Sequence, residues 1–122
     1  MTMLPPLITQ GEVEQQILTL SNGLEEATEL YGQLAEDAAE REYEYKHRHA
    51  SRIVRLADDG RKMTALTRAA MADLEASAEF RLHLLAKARK ETTKEAMLSL
   101  RHRIDAMRTL AANVRYQTET RR

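Results

Sequence analysis

The stretch VEQQILTLSNGLEEATELYGQLAEDA, residues 13 to 38, decides the fold that this sequence predicts. Its apolar residues are separated alternately by four and three positions, which is the heptad spacing of helices that pack along one seam. Gly23 and Gly32 lie inside this stretch, and each weakens a helix by about 1 kcal/mol relative to alanine. We therefore expect a long helix here, and a break near 21–23 stays open as an alternative. The seam consists of Val13, Ile17, Leu20, Leu24, Ala27, Tyr31, Leu34 and Ala38.

The residues on either side of this stretch set the expected limits of the first helix. Pro5 and Pro6 favour extended backbone, so residues 1–8 are predicted to form a tail. Thr9 followed by Glu12 has the spacing of a capping box, which starts a helix. Two aspartates and Gly60 favour a turn at the other end. The first helix is therefore expected to cover 9–58.

A second long helix is predicted over 64–118, with Thr64 as its N-cap. Two apolar faces follow one another along it, and they are out of phase. We therefore expect the packed face to shift, or the helix to bend, near 91–95. The first face consists of Leu66, Ala70, Met71, Leu74, Ala78, Leu82 and Leu85; the second consists of Met97, Leu100, Ile104, Met107, Ala111 and Val114.

These patterns predict an all-α fold, in which 9–122 form one domain: a long antiparallel helical hairpin with an N-terminal coiled-coil arm. Two helices alone cannot cover their apolar stripes, and small cores are usually completed by assembly. We therefore expect a helical homo-oligomer, with a monomeric three- or four-helix bundle as the alternative. The residues expected to hold the oligomer together are Val13, Ile17, Leu20, Leu24, Leu34, Leu100, Ile104 and Met107.

Composition excludes several kinds of chemistry and predicts a location. The chain has no cysteine, which rules out disulfides, thiolate metal sites and thiol nucleophiles. Its first residues lack the charged and apolar regions of a signal peptide. No run approaches the roughly 18 apolar residues that a membrane span needs. We expect a cytoplasmic protein without membrane contact.

The sequence offers no clear catalytic or metal-binding motif. Glu44 and His47 have the spacing of a metal-binding pair on a helix, but the sequence contains no second copy of the motif. His47 and His49 are two positions apart and point to different faces, whereas zinc needs three or four convergent ligands. A glycine-rich phosphate loop is also missing. The prediction is a protein that is not an enzyme and has no metal or cofactor.

Charge is distributed unevenly along the chain. Residues 1–45 contain ten acidic residues and one basic one, whereas 46–122 contain eighteen basic and nine acidic ones. A hairpin would gather basic side chains beside its turn, and such clusters bind phosphate backbones by releasing counterions. A neighbouring aromatic ring could stack on an unpaired base. The predicted nucleic-acid-binding residues are Arg48, Arg52, Arg55, Arg61, Lys62 and Arg68, with Tyr45 as the stacking residue.

Two alternatives to nucleic-acid binding stay open for the basic residues. They could form a solvated surface with local ion pairs, such as Glu91 with Lys87 and Lys94. They could also bind an anionic protein, including the acidic arm of a neighbouring subunit, which would then set the register of the assembly.

The stretches 42–75 and 98–119 resemble small all-helical proteins of tailed bacteriophages and prophages. The match spans roughly 31–118, and its layout is similar to that of the T-even phage recombination mediators. The resemblance implies an oligomer that loads a recombinase onto single-stranded DNA. The outline is carried by EYEYK at 42–46, by a charged turn from Gly60 to Thr64, and by Leu98, Leu100, Arg101, Met107, Arg108 and Leu110.

Two functions are therefore predicted. The first is a non-enzymatic recombination or replication mediator that binds single-stranded DNA and recruits a recombinase, a helicase or a single-strand-binding protein. Its location would be the host cytoplasm if a phage encodes it. The second is a structural or adaptor protein, such as a virion assembly factor or a host-protein inhibitor, that uses the same helices on a protein partner.

Overall fold

The computed structural model describes residues 8–60 and 62–120, which form three helices and contain no strand. Helix α1 is Gln10–Asp58, α2 is Ala65–Glu75 and α3 is Ser77–Thr120. The predicted all-α class is confirmed. The expected tail lies outside the described residues apart from Ile8, and so does Arg61.

The chain forms two compact units. Unit 1 combines Met1–Leu30 with Thr93–Arg122, and unit 2 is Tyr31–Thr92. Each unit therefore contains one part of α1 and one part of α3, while α2 belongs to unit 2.

The start and the end of α1 follow the predicted local signals. The Glu12 amide donates to Thr9 Oγ1 over 3.2 Å, and the Thr9 amide donates to Glu12 Oε2 over 3.3 Å, which is the reciprocal arrangement of a capping box. Beyond the last turn, Gly60 has a φ of 70°, a left-handed conformation that glycine adopts without a steric cost. Between these ends α1 runs through 21–23 without interruption.

The second predicted helix is divided into α2 and α3 at Ala76, where no break was predicted. Thr64 caps α2 as predicted, because its Oγ1 accepts from the Thr67 amide over 3.1 Å. Ala76 then interrupts the helix with φ −91° and ψ 10°, in the sparsely populated bridge region. The expectation of one helix over 64–118 is therefore wrong, and α3 continues to Thr120.

In unit 1, the predicted seams of α1 and α3 pack within a single chain. Val13 is completely buried, and Met97, Ile104 and Ala111 are at most 9% exposed. The remaining predicted seam residues of this unit are half-buried. The residues expected to join subunits are thus already covered, partly or fully, by their own chain. Their role between subunits stays a prediction.

In unit 2, α1 packs antiparallel on α2 and α3 around a core composed mainly of alanine. Residue 49 of α1 meets residue 73, and residue 45 meets residues 80 and 83. Small side chains let helix backbones approach closely, so this core is thin. Its buried residues are Ala38, Leu56, Ala72, Ala76 and Ala86.

The apolar face that the sequence predicted over 66–85 is not the packed face of unit 2. Leu66 and Leu74 are 81% and 78% exposed, and Leu82 and Leu85 are also exposed. The packed positions of α3 in this unit include Glu79, His83, Ala86 and Lys90. Their spacing of three and four continues in unit 1 from Thr93 onward, so the expected shift near 91–95 does not occur. The apolar face is not packed because the facing part of α1 carries arginine, histidine and tyrosine. These side chains need polar and aromatic partners.

None of the helices that the structure describes is long and apolar enough to cross a membrane.

Candidate functional site

Two arginines of the predicted nucleic-acid site are engaged in ion pairs inside unit 2. Arg48 Nε lies 3.3 Å from Glu79 Oε1, and Arg48 Nη2 lies 3.8 Å from Glu75 Oε1. Arg52 Nε is paired with Glu75 Oε2, and both side chains are 30% exposed. These carboxylates offset the positive charge that a phosphate backbone would need. Arg48 and Arg52 therefore connect α1 to α2 and α3.

Tyr45, the predicted stacking residue, is packed against its own chain. Its ring centroid lies 4.9 Å from that of Phe80 and 5.9 Å from that of His83. The ring of His49 is also 5.9 Å away. Three aromatic neighbours leave Tyr45 half-buried, with little free face for a base.

The other predicted residues near the turn differ in their exposure. Arg55 and Lys62 are exposed and Arg68 is half-buried, while Arg61 lies outside the described residues. Arg52 and Arg55 line a groove of about 340 Å³ together with Asp58 and Asp59. The groove therefore presents charges of both signs.

Histidines of α1 and α3 take part in ring contacts and in an ion pair. His49 Nε2 lies 2.7 Å from Asp73 Oδ1, and the ring of His47 stacks on Tyr43 at 5.7 Å. Glu79 pairs with Arg48, and no group among the described residues forms a hydrogen bond with the buried His83 Nδ1. Among residues 8–60 and 62–120, no three histidine, aspartate or glutamate side chains converge as a metal site requires.

The pKa values of two paired side chains on the surface of α1 are shifted. Lys46 Nζ lies 2.8 Å from Glu42 Oε1. The hydrogen bond from Lys46, followed by its positive charge, lowers the pKa of Glu42 below its ordinary value. The same hydrogen bond and the charge of Glu42 raise the pKa of Lys46. Both side chains are solvated, so the pair is a local feature of the helix surface.

A linear set of cations on α3 in unit 1 was missed at the sequence level. Lys94, Arg101, Arg108 and Arg115 are all exposed and follow one another at intervals of seven residues. Seven residues rise about 10.5 Å and return to nearly the same side of a helix. The four residues therefore form a row about 31 Å long, which we call the basic row.

The positive charge of the basic row is largely free of internal partners. Its one ion pair within the described chain joins Arg108 Nη1 to Asp105 Oδ1 at 3.9 Å, and the two side chains are 69% and 73% exposed. An exposed pair of this kind contributes little energy. The alternative pair of Lys94 with Glu91 does not form in the described structure, since Lys94 is in no salt bridge there.

The part of α1 beside the basic row leaves space next to the guanidinium groups. A groove of about 240 Å³ runs between the two helices of unit 1. Two residues of α1, Ser21 and Leu24, line one side of it. The other side is lined by four residues of α3, namely Arg101, Ile104, Asp105 and Arg108. The groove and the exposure of the four cations leave the row accessible to an elongated ligand.

The heptad pattern contains the signal that would have revealed the basic row. Each cation directly follows a residue of the packed seam, so all four share one heptad position. The members that precede them are Thr93, Leu100, Met107 and Val114.

Comparison of the chain with protein-family models, with curated proteins and with solved structures finds no match. The resemblance to small phage proteins therefore gains no support from them.

Proposed function

We propose that this chain is a non-enzymatic helical protein that binds single-stranded nucleic acid through the basic row. The observation that supports the proposal is the arrangement of Lys94, Arg101, Arg108 and Arg115 on one side of α3, with a single weak carboxylate contact in the described chain. A row of cations suits an extended polyanion, because each phosphate that is neutralised releases counterions.

The end of the basic row favours a single strand over a duplex. Tyr116 is adjacent to Arg115 and is 68% exposed, so its ring has free faces. Exposed aromatic rings next to a cationic groove stack on unpaired bases, which a duplex does not offer. The proposal thus retains the predicted ligand and moves its contact surface from the turn to α3.

The proposal is tested by the salt dependence of binding to a labelled single-stranded oligonucleotide. Replacing all four residues of the basic row by Gln removes up to four phosphate contacts. Each contact contributes about 0.7 to the slope of log affinity against log salt, so the slope should flatten by up to about 2.8. Gln is a fair helix former, and circular dichroism should show unchanged helicity.

A matched control removes four exposed cations elsewhere. The substitutions Arg55→Gln, Lys62→Gln, Arg81→Gln and Arg89→Gln make the same change in net charge in unit 2. The control should keep most of the slope. An equal loss in both variants would show that binding depends on overall charge, and wild-type affinity in the row variant would contradict the proposal.

The mediator role predicted from the sequence is a more specific proposal, because it adds a partner enzyme to the binding of a single strand. In that role the bound strand is passed to a recombinase or a helicase. Faster assembly of such an enzyme on a coated strand, lost in the row variant, would support it.

An adaptor function is the second candidate, and a separate observation favours it. Leu66 and Leu74 of α2 are the two most exposed large apolar residues in the described chain. Exposed apolar residues on one element can mark a protein-binding surface. If the row variant binds the oligonucleotide as the wild type does, this candidate becomes the better one.

A further inference from the structure

The two helices of unit 1 carry opposite charge but do not pair with each other. Described residues 8–30 contain five carboxylates and no basic residue, whereas 93–120 contain five basic and three acidic residues. No ion pair connects these two segments in the described structure. The charged side chains of both segments are therefore available to bind another molecule.

The carboxylates of α1 in unit 1 form an exposed surface. Glu25, Glu26 and Glu29 are exposed and have no partner in the part of the chain that the structure describes. Glu12 is exposed as well and accepts one hydrogen bond from the Thr9 amide, which leaves further acceptor positions on its carboxylate. We call these four residues the acidic face.

The spacing of the acidic face matches that of the basic row. Glu12 and Glu26 are fourteen residues apart, as are Lys94 and Arg108. Fourteen residues on either helix rise about 21 Å and return to nearly the same side. Two carboxylates of one helix can therefore face two cations of another helix at once.

We propose that the acidic face of one copy docks on the basic row of a second copy of this chain. The two surfaces are different, so the contact is heterologous and generates a ring or an open chain of copies. A single exposed ion pair contributes little to binding, but several pairs in register act together. The contact is also sensitive to salt, because its charges are solvated.

Docking of a second copy and binding of nucleic acid use the same row, so they exclude one another. This consequence rests on the proposed function, whereas the docking itself does not. Removing the acidic face should then raise the apparent affinity for an oligonucleotide at low salt.

The docking is tested by sedimentation of the full chain without nucleic acid. Lowering the ionic strength from about 1 M to about 0.01 M lengthens the screening distance from about 3 Å to about 30 Å. The mass of the wild type should rise over this range, starting from whatever assembly apolar contacts already maintain. A mass that does not change with salt would overturn the proposal.

Charge reversal provides the decisive arm of the experiment. One variant carries Glu25→Lys, Glu26→Lys and Glu29→Lys, and the other carries Lys94→Glu, Arg101→Glu and Arg108→Glu. Each alone should lose the salt-dependent rise, because like charges then meet. An equal mixture should regain it, because each reversed surface faces its opposite on the other variant. Failure of the mixture to regain the rise would contradict the proposal.

A control and a parallel measurement separate this inference from the proposed function. Glu36→Lys, Glu40→Lys and Glu91→Lys make the same charge change on exposed residues of unit 2, and they should leave the rise intact. If this control also lost the rise in mass, the rise would depend on net charge, and the docking would be overturned. Salt-independent mass with oligonucleotide binding through the row overturns the docking alone. A salt-dependent mass without oligonucleotide binding through the row overturns only the proposed function.

Discussion

The imidazole ring of His83 stacks on the phenol ring of Tyr45, with 2° between the ring planes and 5.9 Å between the centroids. The stack joins α3 to α1 inside unit 2, at positions where a hydrophobic pair would be usual. It also explains why an aromatic residue among basic residues need not contact nucleic acid. Tyr45 contributes to the packing of unit 2, and its stacking on a base stays a prediction.

Replacing Tyr45 by Ala should destabilise the protein rather than disable a binding site. The loss of three ring contacts and of a half-buried side chain should cost about 1–3 kcal/mol in the free energy of unfolding. Tyr45→Phe keeps the ring and should cost less. Urea denaturation measures both variants. Full stability together with weakened oligonucleotide binding would show that Tyr45 stacks on a base after all.

Arg52 and Glu75 should be energetically coupled. Their side chains are 30% exposed, so the pair is less solvated than an ordinary surface pair. A double-mutant cycle with Arg52→Ala and Glu75→Ala should give a coupling energy of about 1 kcal/mol, at the upper end of values for exposed pairs. The cycle of the exposed pair Arg108 and Asp105 serves as the control and should give less. Equal coupling in the two cycles would contradict this assignment.

Alanine should have opposite effects at two glycines. An added Cβ at Gly32, inside α1, would meet nothing within 4 Å, so Gly32→Ala should stabilise the protein by about 1 kcal/mol through helix propensity. Gly60 has a φ of 70°, so Gly60→Ala should destabilise by about 1–2 kcal/mol. Thermal denaturation compares the two variants directly. A stabilising Gly60→Ala would mean that the turn is not left-handed in solution.

The Glu42–Lys46 pair should contribute stability only within a pH window. Because the pKa of Glu42 is lowered in the folded protein, its contribution is present above the unfolded pKa and is lost as the pH falls through the folded value. The raised pKa of Lys46 makes its contribution disappear as the pH rises through the folded value. An NMR titration of Lys46→Gln should show the pKa of Glu42 moving upward. An unmoved pKa would assign the shift to another group.

Tyr116 should contribute to single-strand binding without affecting its salt dependence. Stacking on a base is worth about 1–3 kcal/mol, so Tyr116→Ala should weaken oligonucleotide binding by that amount and leave the salt slope unchanged. Tyr116→Phe retains a stacking ring and serves as the control. Binding of duplex DNA should respond little to either change. A flattened slope in Tyr116→Ala would indicate a disturbed row instead.

The local signals of the sequence predicted the helix limits well. Thr9, Thr64 and Gly60 act through hydrogen bonds and backbone angles within a few residues, so the chain segment alone contains the required information. The seams around Val13 and Ile104 were also predictable, because apolar residues there alternate without competition from polar groups.

Unit 2 could not be predicted from hydrophobicity. Leu74 and Leu82 look like core residues in isolation, yet Glu79 and His83 occupy the packed face. Glu79 and His83 lie on the packed face because they contact Arg48 and Tyr45. These two partners lie more than thirty residues earlier in the chain. The same coupling places Arg48 and Arg52 in ion pairs between helices, and their role in nucleic-acid binding stays a prediction. Pairing across helices, which no single segment reveals, decides both outcomes.

The alanine core of unit 2 has a thermodynamic consequence. Unfolding normally raises the heat capacity by about 12–15 cal/mol/K per residue, mainly because apolar surface becomes hydrated. Among the described residues of this unit, four of the five buried ones are alanines, which expose little such surface when they unfold. The heat-capacity change of the protein should therefore fall below the usual range. Its stability would then vary only gently with temperature, and cold would weaken it less than it weakens a protein with a large leucine core.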